Sequence, residues 1–284
     1  MPIDKGLWDC FLNIEKRREE ATKKAQTICS DFLGDAWKSP EFTFQKTIGG
    51  ITNLVFKCSI PENVSHPHTI LFRVQSDRDV MQLQNELIIL MKLAEHNLGP
   101  KLLGVFPGGR LEEWIPSRML TDAETKDPKY SALIAQTMAK IHQFKAPLPT
   151  KPQMIPTMRQ WVDRIQKNGA DEFELWSKNV GVPKDKFPAS INLVTLRLEI
   201  DRIENYLERH ASPSRLTHND LCASNILLRD HSAEGENPIV IIDFEFGMYN
   251  YRSFDIDNYL TEQNLTYFED PANPEGSCHA HRRS

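Results

Sequence analysis

The chain has 284 residues and a formal net charge of −5 at pH 7, from 34 lysine and arginine residues against 39 aspartate and glutamate residues. Hydrophobic residues make up 40% of the chain, which is ordinary for a globular protein and excludes collagen, a coiled coil or an intrinsically disordered chain. The negative charge offers no basic surface, so we expect no nucleic-acid partner.

The longest apolar runs are far shorter than the roughly 18 residues that span a bilayer, so we expect no integral membrane contact. The N-terminus, Met1-Pro-Ile-Asp-Lys-Gly, has no apolar segment typical of a secretory signal. The five cysteines form no Cys-x-x-Cys pair, which favours free thiols in a reducing compartment. We therefore predict a cytoplasmic protein.

An amphipathic helix is predicted at 14–37, where apolar residues recur at helical spacing. A β-meander follows, and then a second helix at 80–96 that ends at a Gly–Pro terminator. The strands of the meander and of the segment after the helix are predicted at 42–44, 54–60, 69–74, 101–106 and 110–115. These elements predict a β-rich N-terminal lobe at residues 1–118.

Residues 119–268 read as a mainly helical C-terminal lobe that also contains two short strands. Residues 269–284 are polar and without period, which predicts a mobile tail. The helices are predicted at 131–144, 158–167 and 193–210, and the strands at 225–228 and 239–242. The fold class predicted for the chain is α+β with two lobes.

The most informative motif is H-x-D-x4-N, formed by His218, Asp220 and Asn225 directly before a predicted strand, with Asp243 after the next strand. In kinase-like phosphoryl transfer an Asp at the first position accepts or orients the substrate hydroxyl, and the later Asn and Asp bind Mg²⁺. Carboxylate and amide oxygens suit such a hard cation. All three residue types are also common in turns, but the second aspartate at a strand end makes coincidence a poor explanation. The motif predicts Asp220 as the catalytic residue and Asn225 and Asp243 as metal ligands.

A glycine turn between the first two predicted strands is a candidate phosphate-binding loop. Gly49 and Gly50 let the backbone approach a phosphate, and Thr52 and Asn53 add donors. A Gly-Gly pair is equally an ordinary hairpin turn. The P-loop pattern GxxxxGK[ST] does not occur in the sequence, which argues against that class of nucleotide-binding fold.

Arg73 lies in the third predicted strand, where kinases place a cation against the phosphates of ATP. Glu86 on the following helix is a candidate partner that would support this cation. An exposed strand arginine is the simpler interpretation of Arg73 taken alone. The order of glycine turn, strand cation, helix acid and catalytic loop is the order that a kinase fold requires.

Five segments closely resemble the choline/ethanolamine kinase family, and the two at 109–118 and 242–258 are much more specific than a generic kinase loop. The resemblance spans residues 32 to 262 and implies a protein-kinase-like, bilobal fold. It further implies phosphorylation of choline, with ethanolamine as a second acceptor, by ATP and Mg²⁺, as the first step toward phosphatidylcholine and phosphatidylethanolamine. The five segments are 49–54, 97–104, 109–118, 218–221 and 242–258.

The resemblance also assigns roles to individual residues. It gives Asp220 the role of catalytic base and Asn225 and Asp243 the role of metal ligands, as the motif does. It also makes Arg73 the strand arginine that contacts phosphate and places Asp243 among the nucleotide-binding residues. The phosphate loop is formed by Gly49, Gly50, Thr52 and Asn53. Glu113, Trp114 and Ile115 match the linker whose backbone contacts adenine. Asp255 matches a buried acid that braces the catalytic loop. His218 and Glu86 are likewise predicted to support the structure of the site.

The same resemblance assigns the residues that bind the acceptor alcohol. Glu262 matches an acid near the substrate's ammonium group, Tyr267 matches a pocket aromatic, and Asp220 contacts the hydroxyl. A quaternary ammonium cannot donate a hydrogen bond, so its recognition requires carboxylates and aromatic faces.

After Glu262 the chain departs from the family pattern, which continues with an aromatic-rich segment and further helices. This departure predicts a C-terminally truncated form. Two alternatives remain open: a catalytically impaired form that acts as a partner subunit, and a related small-molecule phosphotransferase of the aminoglycoside-phosphotransferase type. The expected partners are choline or ethanolamine and ATP, with a homo- or heterodimer because the family is commonly dimeric.

Overall fold

The computed structural model describes residues 5–47, 53–64, 66–75, 80–174, 190–210, 212–269 and 278–282. The chain divides into two compact units that are interleaved in sequence. Unit 1 comprises the residues up to Ile141 together with Ala223–Gly247, and unit 2 comprises His142–Cys222 together with the residues after Gly247.

Within the described ranges, unit 1 contains five α-helices and an antiparallel sheet of five strands in the order β1-β2-β3-β5-β4. A second, three-stranded antiparallel sheet has the order β11-β10-β6. The helices are α1 (Lys5–Leu12), α2 (Arg18–Leu33), α3 (Val80–Ala94), α4 (Asp122–Lys126) and α5 (Pro128–Ile141). The strands are β1 (Thr43–Lys46), β2 (Asn53–Ser59), β3 (Thr69–Gln75), β4 (Leu102–Phe106), β5 (Gly109–Glu113), β6 (Ser117–Met119), β10 (Ile226–Arg229) and β11 (Ile239–Ile241).

Aromatic side chains fill the core on one face of the five-stranded sheet. Phe11 of α1 stacks on Phe72 of β3 with ring centroids 5.3 Å apart, and Phe44 of β1 stacks on Phe56 of β2 at 4.5 Å. Side chains alternate between the two faces of a strand, so Phe72 points into this core and its neighbour Arg73 points to the opposite face. The sheet thereby fixes Arg73 on the face that carries the candidate site.

In the part of unit 2 that the structure describes, there are three α-helices and three pairs of antiparallel strands, β9 with β12, β7 with β8 and β13 with β14. Helices α6 and α7 pack through a small core that includes Val162 and Ile200. The helices are α6 (Met154–Lys167), α7 (Leu193–His210) and α8 (Arg252–Glu262). The strands are β7 (Glu172–Glu174), β8 (Ser190–Asn192), β9 (Ser214–Thr217), β12 (Met248–Tyr251), β13 (Leu265–Glu269) and β14 (Cys278–Arg282).

Two of the segments predicted from the sequence have a different structure. The single helix predicted at 14–37 is shorter, because Gly34 adopts a left-handed φ of 93° and ends α2, and its N–H bonds to the Ser30 carbonyl. Part of the segment predicted as a tail forms β14, which pairs with β13. Within the described ranges, no helix is both long enough and apolar enough to cross a membrane.

Candidate active site

The predicted phosphate loop is only partly covered by the structure. Gly49, Gly50 and Thr52 lie outside the described residues. Asn53 is the first residue of β2, where it is buried and lies opposite Gln75 of β3. Its phosphate-binding role stays a prediction.

Arg73 and Asp243 are 170 residues apart in sequence and meet in unit 1. Arg73 Nη1 donates a hydrogen bond to Asp243 Oδ1 at 3.2 Å. Asp243 follows β11 and has a φ of +66°, a left-handed conformation that non-glycine residues rarely adopt. Such conformations cluster at functional sites, because the surrounding structure must hold them.

Asn225 and Asp243 lie at the same end of the β10–β11 pair. Asn225 directly precedes β10, and its carbonyl accepts a hydrogen bond from Ile242 N at 3.0 Å, one residue before Asp243. The two side chains offer an amide and a carboxylate, which are the oxygen donors that Mg²⁺ prefers. Among the residues that the structure describes, no cluster of three or more His, Cys, Asp or Glu side chains could hold a metal. The amide of Asn225 and the carboxylate of Asp243 fit Mg²⁺ by their chemistry, since proteins usually hold this ion with one or two carboxylates and with substrate phosphates.

A buried ionic network surrounds Arg73, and sequence reasoning missed two of its members, Arg110 and Glu112. Arg110 Nε donates to Glu112 Oε1 at 2.5 Å, and Arg110 Nη2 donates to Glu86 Oε1 at 2.6 Å. Arg73 Nε lies 3.1 Å from the same Glu112 oxygen as an ion pair. The available signal was that Arg110 and Glu112 are two residues apart in one strand with Leu111 between them, because this spacing places both on one face.

Burial alone would raise the pKa of Glu112, but the positive charges of Arg73 and Arg110 lower it to about 2. Burial likewise opposes the charge on Arg110, and the carboxylates of Glu112 and Glu86 raise the pKa of that guanidinium above its ordinary value. The two groups are therefore charged over the whole physiological pH range.

The predicted adenine linker follows β5 directly. Glu113 is the last residue of β5, and it exchanges hydrogen bonds with the backbone of Lys101. Lys57 Nζ lies 4.5 Å from the centroid of the Trp114 ring, and the Ile115 carbonyl accepts a hydrogen bond from Ser117 Oγ at 2.8 Å. Their contact with adenine stays a prediction.

The predicted catalytic loop, which lies in unit 2, is held by Asp255 on α8. Asp255 Oδ2 accepts from His218 N at 2.9 Å, and Oδ1 accepts from Asn219 N at 2.7 Å. The loop also braces itself, because Asp220 N donates to His218 Nδ1 at 3.2 Å. Asn219 has a φ of +66°, so the residue before Asp220 is held in a left-handed conformation.

Two further residues secure this loop, and sequence reasoning missed them. His142 Nε2 lies 2.9 Å from Asp255 Oδ2, and Leu221 N donates to Asn258 Oδ1 at 2.5 Å. The position of Asn258 on α8, three residues after Asp255, was a signal for its role, since residues at this spacing lie on the same helix face. His142 carried no comparable signal, because it lies 113 residues from its partner.

The predicted acceptor residues lie at and after the end of α8. Glu262 is the last residue of that helix and is partly buried. Tyr267 lies in β13, opposite Ala280 of β14 in the register of the pair.

Comparisons with known proteins agree on one family. The family model for choline/ethanolamine kinases matches residues 44–283. A choline/ethanolamine kinase from Rattus norvegicus is 34% identical over 294 residues, which cover 95% of this chain and 71% of that protein.

Solved structures show the same fold. An ethanolamine kinase from Plasmodium vivax superposes with a TM-score of 0.67 at 23% identity, over 84% of this chain and 66% of that one. A choline kinase from Cryptosporidium parvum gives 0.64 at 23% identity, over 89% of this chain and 72% of that one. The predicted fold class, α+β and protein-kinase-like, is confirmed, and the chain spans about two thirds to three quarters of the length of these proteins.

Proposed function

Because the chain belongs to the choline/ethanolamine kinase family, we propose that it transfers the terminal phosphoryl group of ATP to the hydroxyl of choline or ethanolamine. Family membership makes ATP the co-substrate. The observation that carries the proposal is the catalytic loop, where Asp220 follows two backbone N–H groups that the Asp255 carboxylate holds. A base in a fixed loop is what proton transfer from an alcohol requires.

The residues of unit 2 act on the acceptor. Asp220 orients the hydroxyl and takes its proton as the oxygen attacks. Glu262 and Tyr267 recognise the ammonium group, the first by charge and the second by its aromatic face. Asp255, His142 and Asn258 keep the loop in place without contacting the substrate.

The residues of unit 1 act on the nucleotide. Arg73 binds phosphate oxygens, and its guanidinium suits them because it offers several donors in one plane. Asn225 and Asp243 would hold Mg²⁺, which supplies neutralisation of phosphate charge when bound. Gly49, Gly50, Thr52 and Asn53 contribute donors to the phosphates, and the linker at 113–115 contacts adenine.

The proposal extends to compartment and assembly. Free thiols at Cys10, Cys29, Cys58 and Cys222 support a reducing, cytoplasmic environment. The proposal of a homo- or heterodimer rests only on the fact that members of this family are commonly dimeric. Sedimentation equilibrium of the purified chain measures that assembly directly.

An acceptor panel tests the proposed reaction. The purified chain is incubated with Mg·ATP and one of three alcohols: choline, ethanolamine, or 3,3-dimethylbutan-1-ol, the uncharged isostere of choline. ADP release above the rate with ATP alone is expected for choline or ethanolamine and not for the isostere, because only the first two carry a cation. Equal release with all three, or none with any, would refute the proposal.

A variant at Glu262 tests the acceptor side separately. Glu262→Gln is expected to raise the KM for the acceptor and to leave the Kd for Mg·ATP unchanged, since only the ammonium loses its counter-charge. Glu234→Gln, at an exposed position of unit 1, is the matched control. An unchanged acceptor KM in Glu262→Gln would remove Glu262 from the acceptor site.

A further inference from the structure

Two buried arginines face each other across neighbouring strands of the five-stranded sheet. Arg73 of β3 lies directly opposite Arg110 of β5 in the register, so both side chains project from the same face. Like charges in this arrangement repel each other. Glu112, two residues after Arg110 on the same face, lies within 3.1 Å of both guanidinium groups through one oxygen, Oε1.

This contact is part of a continuous series of ion pairs that joins five side chains of alternating charge. The order is Glu86, Arg110, Glu112, Arg73 and Asp243, and the four links are 2.6, 2.5, 3.1 and 3.2 Å long. The first three side chains are only 2–3% exposed and Arg73 is 7% exposed, whereas Asp243 is 18% exposed. The series of ion pairs therefore begins at the buried Glu86 in unit 1 and ends at Asp243, the residue proposed to hold Mg²⁺.

The network is a costly way to stabilise a fold. Buried ion pairs lose hydration that their attraction often fails to offset, and apolar residues of similar volume stabilise a protein at least as well. Arg110 Nη1 is buried without a hydrogen-bond acceptor in the part of the chain that the structure describes, which adds a further cost. A role in orientation accounts for an arrangement that stability alone does not favour.

We propose that Arg110 is a positioning residue for nucleotide binding, acting through Glu112 on Arg73 and through Arg73 on Asp243. Glu86 holds the far side of the Arg110 guanidinium, so its fork can point in only one direction. Glu112 is then fixed between two cations, and the remaining donors of Arg73 face Asp243 and the phosphates. This inference rests on the proposed function of Arg73 and Asp243 as the groups that bind Mg·ATP.

A neutral double substitution tests the role of Arg110. Arg110→Met with Glu86→Leu removes one positive and one negative charge and leaves Glu112, Arg73 and Asp243 in place. Isothermal titration calorimetry with Mg·ATP is expected to show a roughly 10- to 100-fold weaker Kd, the usual loss when a supporting partner of a metal site is removed. The acceptor KM and the thermal unfolding midpoint are expected to stay close to those of the parent.

The matched control is Arg197→Met with Asp163→Leu, which removes an exposed pair between α6 and α7 in which Arg197 Nη2 lies 2.7 Å from Asp163 Oδ1. It is expected to leave the Kd for Mg·ATP unchanged. A folded Arg110→Met/Glu86→Leu variant with parental affinity for Mg·ATP would overturn the inference.

A second variant keeps the test decisive if the double variant does not fold. Arg110→Lys keeps the charge and loses the planar fork that contacts Glu112 and Glu86 together. It is expected to bind Mg·ATP more weakly than the parent, and parental affinity would again refute the positioning role. Because calorimetry needs no acceptor, a parent chain that binds Mg·ATP but phosphorylates neither alcohol would refute the proposed function and leave this inference standing.

Discussion

Glu112 stays ionised although its side chain is 3% exposed. Its carboxylate lies between the guanidinium groups of Arg73 and Arg110, and these charges hold its pKa at about 2 against the effect of burial. The unfolded chain has no such contacts, so its Glu112 would titrate near 4.5. Glu112 therefore stabilises the folded state at neutral pH.

The contribution of Glu112 to the free energy of unfolding is expected to depend on pH. A carboxylate whose pKa is depressed in the folded state stabilises the protein above its unfolded pKa, and that stabilisation is lost as the pH falls toward the folded pKa. The stability advantage of the parent over Glu112→Gln is expected to shrink by about 3 kcal/mol between pH 7 and about pH 2, because protonation of Glu112 removes the attraction of its carboxylate to the two arginines. Urea unfolding of both proteins across this pH range measures it, and a difference that does not depend on pH would contradict the argument.

Single residues differ in how far the sequence could predict them. His218, Asp220 and Asn225 share one short motif, and Asp243 follows a strand, so local spacing was enough to select them. Arg73 was selected by its place in the order of elements. His142 could not be selected in this way, because its importance comes from Asp255, which is distant in sequence. The spacing of Arg110 and Glu112 indicated a shared strand face but not the contact of Arg110 with Glu86.

At the scale of elements, α8 and the catalytic loop form one hydrogen-bonded assembly within unit 2. The Asp255 carboxylate accepts from two consecutive backbone N–H groups of the loop and contacts His142. An asparagine at this position has a single acceptor oxygen, so it cannot satisfy both N–H groups in the same way.

Asp255→Asn is therefore expected to lower the free energy of unfolding by about 1–3 kcal/mol, the cost of a buried group left unsatisfied. It is also expected to lower kcat, because the loop that carries Asp220 is no longer held, while the Kd for Mg·ATP is unchanged. Urea unfolding, steady-state kinetics and calorimetry measure the three quantities. The control is Asp257→Asn, which is exposed on the same helix, and parental kcat in Asp255→Asn would contradict the bracing role.

The turn between β4 and β5 constrains the backbone of Arg73. A Cβ atom added at Gly109 would overlap the Arg73 carbonyl oxygen and the Phe106 ring. Neither atom belongs to a flexible chain end, so β3 or β5 would have to shift.

Gly109→Ala is expected to destabilise the fold by about 1–3 kcal/mol, as overpacking does, and to weaken Mg·ATP binding because Arg73 moves. Gly169→Ala is the control: it strains a left-handed φ of 81° in unit 2 but meets no atom within 4 Å. Thermal unfolding should show a loss in both variants, and calorimetry should show weaker nucleotide binding in Gly109→Ala alone. Equal nucleotide affinity in the two variants would contradict the link between this turn and Arg73.

Elements with a clear period were predictable, and several of the short elements were not. The helix predicted at 80–96 is observed as α3, and the strands predicted at 54–60 and 69–74 are observed as β2 and β3 within one residue. By contrast, β6, β9 and β12 have only three or four residues and exist through pairing with distant strands. Their sequences are too short to show a period, so only the tertiary structure defines them.

At the scale of the whole molecule, the motifs, the family model and the fold of the solved structures all point to the same family. The resemblance seen in the sequence spans residues 32–262, whereas the family match continues to residue 283. The division into units could not be read from chain order, because residues 223–247 return to unit 1 after the chain has formed part of unit 2. This return places Asn225 and Asp243 in the same unit as Arg73.

The central claim is phosphoryl transfer from ATP to an amino alcohol with Asp220 as the base. Phosphorus NMR of the parent chain with Mg·ATP and choline or ethanolamine tests it most directly, beside Asp220→Asn, which keeps the backbone bond to His218. We predict a phosphomonoester resonance growing with ADP in the parent, and growth slower by roughly 10²- to 10⁴-fold in Asp220→Asn at unchanged Mg·ATP affinity. ADP with inorganic phosphate as the only products, or equal phosphomonoester rates in the two proteins, would contradict the account.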